Sequence, residues 1–151
     1  MWSNVKIFII LLSFIVALWF GGALLGNLKQ KSNLLPVSIG STIVFSEIAD
    51  TDALRETGLS GKISLAYGRG MLFVFEQPGF YQFWMKDMNF PIDIIWIGDD
   101  KRVVSVTPNA TPESYPETFM PAAPVRYVLE VPAGFSEKNN VRPGEQTSFS
   151  I

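Results

Sequence analysis

Four charged residues carry the candidate chemistry of this chain: Asp93 inside an apolar strand, Lys86 in the polar connection before it, and Arg126 and Glu130 on a later strand. Asp93 lies in the run Ile92-Asp93-Ile94-Ile95-Trp96-Ile97. Strand alternation puts Ile92, Ile94 and Trp96 on one face and Asp93, Ile95 and Ile97 on the other. A carboxylate among such neighbours is costly unless it is paired or hydrogen-bonded. The partners within reach in sequence are Lys86, Arg126 and the backbone N–H groups around Asn89. Arg126 and Glu130 share the face of Val128 on a later strand, where they could pair with each other or with Lys86. Two kinds of chemistry follow. Lys86, Asn89 and Asp93, with Trp84 beside them as a stacking surface, could line a ligand pocket; the competing reading is a polar knot that only pins the connection Lys86–Pro91. Asp93 with Asp87 or Glu130 as second carboxylate could instead do acid/base work on a sugar or peptide, although the spacing does not fix a carboxylate separation.

The composition removes most other chemistry. The chain has 151 residues and neither Cys nor His. Disulfides, thiolate or imidazole metal sites, Cys nucleophiles and Ser-His arrangements are therefore out of reach. No metal or cofactor is expected. Asp99 and Asp100, in Gly98-Asp99-Asp100-Lys101, read as a solvated turn rather than as metal ligands. Eight aromatic side chains lie between Phe73 and Trp96. A domain of this size needs bulky residues to fill its interior, so core packing is the first reading of that density; Trp84 is set apart because it ends its strand next to a polar connection.

The elements that must position these residues are mostly strands. Ser41 to Ile48, the continuous apolar run Gly70–Phe75, Phe80 to Met85, Ile92 to Ile97, Arg102 to Thr107, Arg126 to Val131 and Gln146 to Ile151 have strand length and composition. Gln77-Pro78-Gly79 and Arg142-Pro143-Gly144 are turn signals. Asp50-Thr51-Asp52 offers N-cap chemistry for a short helix over Ala53–Thr57, with Gly58 placed to stop it. A second helical turn is expected over Phe135–Asn140. Thr107 to Pro124 holds five prolines in eighteen residues and is read as a loop without regular structure, either a lid or binding loop that roofs the candidate site or a strap that packs Tyr115, Phe119 and Met120 onto the wall of the domain. The sum is an α+β fold of mostly antiparallel strands, a small barrel-like or rolled sheet with two short helices.

Ahead of this domain, Ile7 to Leu25 carries no charge over nineteen residues. As a helix it spans about 28 Å, enough to cross a hydrocarbon core of about 30 Å. Residues 1–28 are read as an N-terminal transmembrane helix acting as a signal anchor, with cleavage after Gly21-Gly22-Ala23 as the alternative that would give a secreted protein. Residues 29–40 are a linker and residues 41–151 the single domain. Lys6 favours a cytoplasmic N-terminus and an extracytoplasmic domain, while Lys29 and Lys31 pull the other way. Without those three lysines the chain keeps 9 basic against 14 acidic side chains, a net of −5. An acidic domain with no basic stripe is a poor reader of phosphate backbones, so no nucleic-acid partner is expected.

Three blocks stand out in their order and spacing: Gly70-Met71-Leu72-Phe73-Val74-Phe75, then Phe83-Trp84-Met85-Lys86-Asp87-Met88-Asn89-Phe90-Pro91-Ile92-Asp93-Ile94, then Tyr127-Val128-Leu129-Glu130-Val131-Pro132-Ala133-Gly134. Together they resemble the domain-of-unknown-function family numbered 192, small prokaryotic proteins that are often exported or membrane-tethered. The likeness runs from about Ser41 to Ile151 and takes in Gly58-Leu59-Ser60-Gly61 and Pro143-Gly144. It implies a compact barrel-like α/β fold, mostly strand, and implies no activity. Many members carry Cys in the stretch equivalent to Thr107–Pro124; this chain has none, so no thiol function carries over.

The expected function is a membrane-tethered extracytoplasmic domain that binds a small ligand or envelope partner without catalysis. Its candidate site comprises Trp84, Lys86, Asn89, Asp93, Arg126 and Glu130. An envelope hydrolase working through carboxylates is the alternative, favoured by an open cleft with two carboxyls, one of raised pKa. A structural or assembly module, marked by a flat apolar patch, is the third reading.

Overall fold

In chain order the elements are β1 (Leu35–Ile39), β2 (Thr42–Ala49), α1 (Asp52–Thr57), β3 (Arg69–Gly79), β4 (Phe83–Trp84), β5 (Ile92–Ile97), β6 (Val103–Ala110), a 3-10 turn (Pro112–Ser114), β7 (Thr118–Phe119), β8 (Val125–Pro132), α2 (Phe135–Lys138) and β9 (Thr147–Ser148). They come from a computed structural model that describes residues 34–151. The helix expected over residues 1–28 lies outside the described residues, among which no helix is long and apolar enough to cross a membrane.

Seven strands form one sheet in the order β6-β5-β8-β3-β2-β1-β9, and β4 with β7 forms a separate two-stranded ribbon. Pairing is antiparallel except between β2 and β3, which are parallel and joined through α1. A parallel pair cannot be closed by a tight turn, so this connection has to cross over a face of the sheet. The sheet curls into a half-barrel. At one end its two edges meet: Val103 N donates to Glu145 O at 2.9 Å, Gly144 N to Val103 O at 2.7 Å and Thr147 N to Lys101 O at 2.8 Å. The Lys101 ammonium adds a bond to Phe149 O at 2.8 Å.

Two apolar clusters flank the sheet. The concave one gathers Val37, Ile39, Leu72, Ile95, Ile97, Tyr127 and Leu129 with Phe135 from α2. The convex one holds Met71, Phe73, Ile92, Ile94, Trp96 and Val128, with Leu59, Met85, Phe83 and Phe119 packed on them. The alternation expected for Ile92–Ile97 is thus observed, and all six residues of β5 are buried because both faces are covered. The convex cover is built from aromatic edges: Phe83 meets Phe73 at 4.8 Å and Trp96 at 5.4 Å between ring centroids, both T-shaped.

Several boundaries depart from the sequence reading. β1 lies in the stretch read as linker. β3 continues through Gln77-Pro78-Gly79, where a turn was expected; the ladder between β3 and β8 shifts register between Val74 and Gly79, and Pro78 occupies that irregular stretch, where no ladder N–H is required. The strand expected over Phe80–Met85 is reduced to Phe83–Trp84. The proline-rich segment is not featureless: β6 runs to Ala110, and β7 pairs Phe119 with Phe83 and Thr118 with Trp84. Phe119 packs on the convex cluster, as expected of the strap, whereas Tyr115 and Met120 stay about half exposed.

Asp93 is fully buried. Its Oδ1 accepts from Asn109 N at 2.9 Å and Gly134 N at 3.1 Å, and its Oδ2 from Ser136 N at 2.8 Å. The expectation that Lys86, Arg126 or amides near Asn89 would satisfy it is corrected: the donors come from the end of β6 and from the first turn of α2. The reason lies in local geometry. Between Ile92–Ala110 and Ile94–Thr107 the β5–β6 ladder carries an extra residue on β6, and the bulge leaves an amide unpaired. Asn109 adopts a positive φ there, and Asp93 takes its N–H. Gly134, the residue that caps α2, has no side chain to offer the helix, so Asp93 supplies the N-cap oxygen from another strand. One carboxylate therefore ties β5 to the β6 bulge and the α2 turn.

Asp93→Asn turns one acceptor into a donor facing backbone N–H groups and should cost at least about 2 kcal/mol in urea unfolding of the full chain in mild detergent. Lys86→Met should change stability by less than about 0.5 kcal/mol; a comparable loss from both would reinstate a Lys86–Asp93 pair. A second site is equally strict. A Cβ on Gly70 would lie 2.7 Å from Glu130 O and 2.8 Å from Val44 Cγ1. Gly70→Ala should lower Tm by several degrees or prevent folding, because the obstacle is backbone and cannot rotate away.

Candidate functional site

α1 forms where Thr51 caps it, its side chain accepting from Leu54 N at 3.3 Å, and it ends at Gly58, which has φ 50°. The crossover it belongs to runs from β2 to β3; none of the helix's own residues is buried, its Arg55 reaches Val74 O of β3, and Leu59 just after it is buried in the convex cluster. Gly58 is packed so closely on the sheet that a Cβ there would touch Phe73 Cζ at 3.2 Å. Between α1, the turn Gly58–Ser60 and the strand Phe83–Trp84 lies a cleft of about 260 Å³. Phe73, Phe75, Phe83 and Leu59 wall it, Trp84 and Met88 stand at its side, and Glu130 reaches it from β8.

Glu130 is 5% exposed, and its Oε2 is fully buried without a hydrogen-bond partner. Burial away from water pushes this carboxyl up from its ordinary 4.5 to about 8. At neutral pH it is a neutral acid, able to donate a hydrogen bond or to protonate a neighbour. The other charged side chains lining the cleft are Arg55 and Glu56, both on α1. Arg55 is already engaged: it donates to Val74 O at 2.7 Å and to Asp52 Oδ1 at 2.6 Å, and its guanidinium lies 5.4 Å from the centroid of Phe75. Phe75 also stacks with Tyr81, centroids 3.5 Å apart and planes 9° apart. Among the described residues three buried side-chain atoms lack a hydrogen-bond partner, Ser46 Oγ, Ser136 Oγ and Glu130 Oε2, and of these residues Glu130 alone lines the cleft.

The structure brings two of the six expected site residues to this cleft, Trp84 and Glu130. The other four lie elsewhere. Lys86 is exposed, and its carbonyl accepts from Ser60 Oγ at 2.8 Å. Asn89 donates to Lys62 O at 2.9 Å, and Asp87 O accepts from Gly61 N at 2.8 Å. The connection Lys86–Pro91 is therefore pinned by the Ser60–Lys62 turn and not by Asp93. Arg126 shares the face of Glu130, as expected, yet pairs with Asp99 at 2.7 Å and with Phe75 O at 3.3 Å. That ion pair raises the guanidinium above its usual value. Asp93, committed to backbone amides, does not line the cleft. The sequence reading passed over Arg55, Glu56 and Phe73. A connection of about twenty residues containing a helix was the one available signal, since such a length is what a parallel crossover needs.

The fold and site define a strand-rich domain with a small aromatic cleft on the outer face of a curled sheet. The model of the domain-of-unknown-function family 192, described as Uncharacterized ACR, matches residues 36–149, and the chain belongs to this family. It is also similar to two crystal structures. A protein of unknown function from Novosphingobium aromaticivorans is 32% identical, with a TM-score of 0.72, over 79% of this chain and 89% of that one. A putative transcription regulator from Sinorhizobium meliloti is 29% identical, with a TM-score of 0.73, over 76% of this chain and 92% of that one. No curated protein matches the chain.

Glu130 makes stability depend on pH. The folded protein holds its proton up to about pH 8, whereas an unfolded glutamate releases it near 4.5. The contribution is complete below about pH 4.5 and is lost as pH rises to about 8, a change of a few kcal/mol. Glu130→Gln removes the ionisable proton at nearly constant shape. The variant should match the wild type within about 1 kcal/mol near pH 5 and exceed it by a few kcal/mol near pH 9 in chemical denaturation. A difference that does not change with pH would mean that Glu130 ionises freely in the folded protein.

Proposed function

We propose that this protein is a membrane-tethered, extracytoplasmic binding domain that takes a small ligand into the convex-face cleft without catalysis. One observation carries the proposal: the cleft places a buried carboxyl with an unpartnered oxygen, Glu130, among aromatic walls. A buried polar group with no partner costs about 1–3 kcal/mol, and ligand pockets characteristically combine apolar walls with a few such groups that orient the guest. The volume supports a guest of modest size, since a cavity of about 150 Å³ suffices for benzene. Tethering rests on the uncharged stretch Ile7–Leu25.

A second reading draws on the same carboxyl. A cleft lined by Glu130 and Glu56, with Glu130 held protonated near neutral pH, has the two carboxyls of a general acid/base hydrolase. Asp93 and Asp87, expected as partners in such a pair, do not line this cleft; Glu56 would take their place.

Nuclear magnetic resonance of the full chain in detergent, titrated with small aromatic fragments, separates these readings. Binding predicts shifts centred on the Trp84 indole and the Met88 methyl, weakened at least fivefold by Trp84→Ala. Shifts scattered over other surfaces would overturn it. Turnover of chromogenic sugar or peptide substrates that Glu130→Gln abolishes would establish the hydrolase instead. For the tether, the chain is free of Cys, so Glu117→Cys, on an exposed position, provides a single thiol. A membrane-impermeant maleimide should label it in intact cells; labelling only after lysis would place the domain inside.

A further inference from the structure

We propose that the convex-face cleft selects an organic cation, an alkylammonium or guanidinium group seated against Phe73, Phe83 and Trp84 with Glu130 as its counter-charge. The inference rests on the binding reading above and adds the class of ligand. Aromatic faces carry negative quadrupoles and attract cations, most strongly where water is excluded. This cleft already shows the preference at its rim, where the Arg55 guanidinium sits over Phe75 at 5.4 Å. Arg55 itself does not serve the interior carboxyl: its two terminal nitrogens are directed to Val74 O and to Asp52.

The charge balance points the same way. The charged side chains lining the cleft are Arg55 and Glu56 from α1 and Glu130 from β8; Tyr81 is the remaining titratable one, and its hydroxyl donates to Gln77 O at 2.6 Å. The turn Gly58–Ser60 and the strand Phe83–Trp84 contribute none. With Arg55 neutralised by Asp52, the balance is negative once Glu130 ionises. An anion would meet two carboxylates and no free base. A neutral guest would leave the Glu130 carboxylate without compensation above about pH 8.

A cation recruits the ionised form of Glu130. Below the point where Glu130 loses its proton, binding must also expel that proton, and affinity should rise with pH by up to tenfold per unit. The probe is benzyltrimethylammonium, whose charge does not titrate, with benzyl alcohol as an uncharged aromatic control. Both are titrated calorimetrically into the full chain in a nonionic detergent between about pH 6 and 9, against detergent alone.

The expected result is binding of the cation that tightens at least tenfold from about pH 6 to 8 and levels off by about 9. Glu130→Gln should remove the pH dependence and weaken binding at pH 9 at least tenfold. Trp84→Leu should weaken binding and keep the pH dependence. Benzyl alcohol binding better than the cation, sensitive to Trp84→Leu and weakening as pH rises, would overturn the cation and leave the cleft as a site for neutral guests. Cation binding that does not change with pH, or that survives Glu130→Gln unaltered, would overturn Glu130 as counter-charge and the proposal with it. If neither probe binds and the fragment shifts bypass Trp84, the binding reading falls as well.

Discussion

The central strands of this sheet are apolar on both faces, and a strand of that kind is stable only if both faces are covered. Curling the sheet satisfies one side, where the concave cluster closes around Leu72, Ile95 and Leu129. The other side needs material from outside the sheet. It comes from the β2–β3 crossover with α1, and from the ribbon of Phe83–Trp84 with Thr118–Phe119, which lays Phe83 edge-on against Phe73 and Trp96. These two covers arrive separately, and the cleft is the seam between them.

Two acidic residues, one on β5 and one on β8, show what burial does to a carboxylate when its surroundings differ. Asp93 is surrounded by backbone amides that local structure has left without partners: one from a bulge, two from the turn into α2. Its charge is compensated by fixed dipoles, and it locks three segments together. Glu130 stands opposite Met71 and Ile94 in the ladders of β3 and β5 and meets no donor at Oε2. Here desolvation alone acts, and the proton stays. The first arrangement stabilises a fold. The second costs stability at alkaline pH and is tolerated beside an opening, which is why it marks the seam as a place for a guest.

The family blocks and the strand periodicity place most of the ladder correctly, because alternation depends on residues next to one another. Ile92, Ile94 and Trp96 share a face as the pattern demands; Arg126 and Glu130 share theirs. Local signals failed where the chain does something a turn residue does not report. Gln77-Pro78-Gly79 reads as a turn but lies in an irregular stretch of ladder that needs no proline N–H. The β1 strand, Leu35-Pro36-Val37-Ser38-Ile39, reads as part of the polar stretch that precedes it, although Gly40-Ser41 forms the two-residue turn of its hairpin with β2 and is a local signal for it.

From the sequence alone follow the absence of thiol and imidazole chemistry, the strand-rich class, the family, the burial of the Asp93 carboxylate and the strand face that Glu130 shares with Arg126. These follow from residue type and from periods of two, which are properties of near neighbours. The tertiary structure alone decided who meets those carboxylates. Asp93 finds amides at Asn109, Gly134 and Ser136; Arg126 is drawn off to Asp99; Arg55 and Glu56 of the β2–β3 crossover come to line the same cleft as Glu130. Each outcome depends on which strands become neighbours, and that is a balance of burial over the whole sheet that no spacing along the chain encodes.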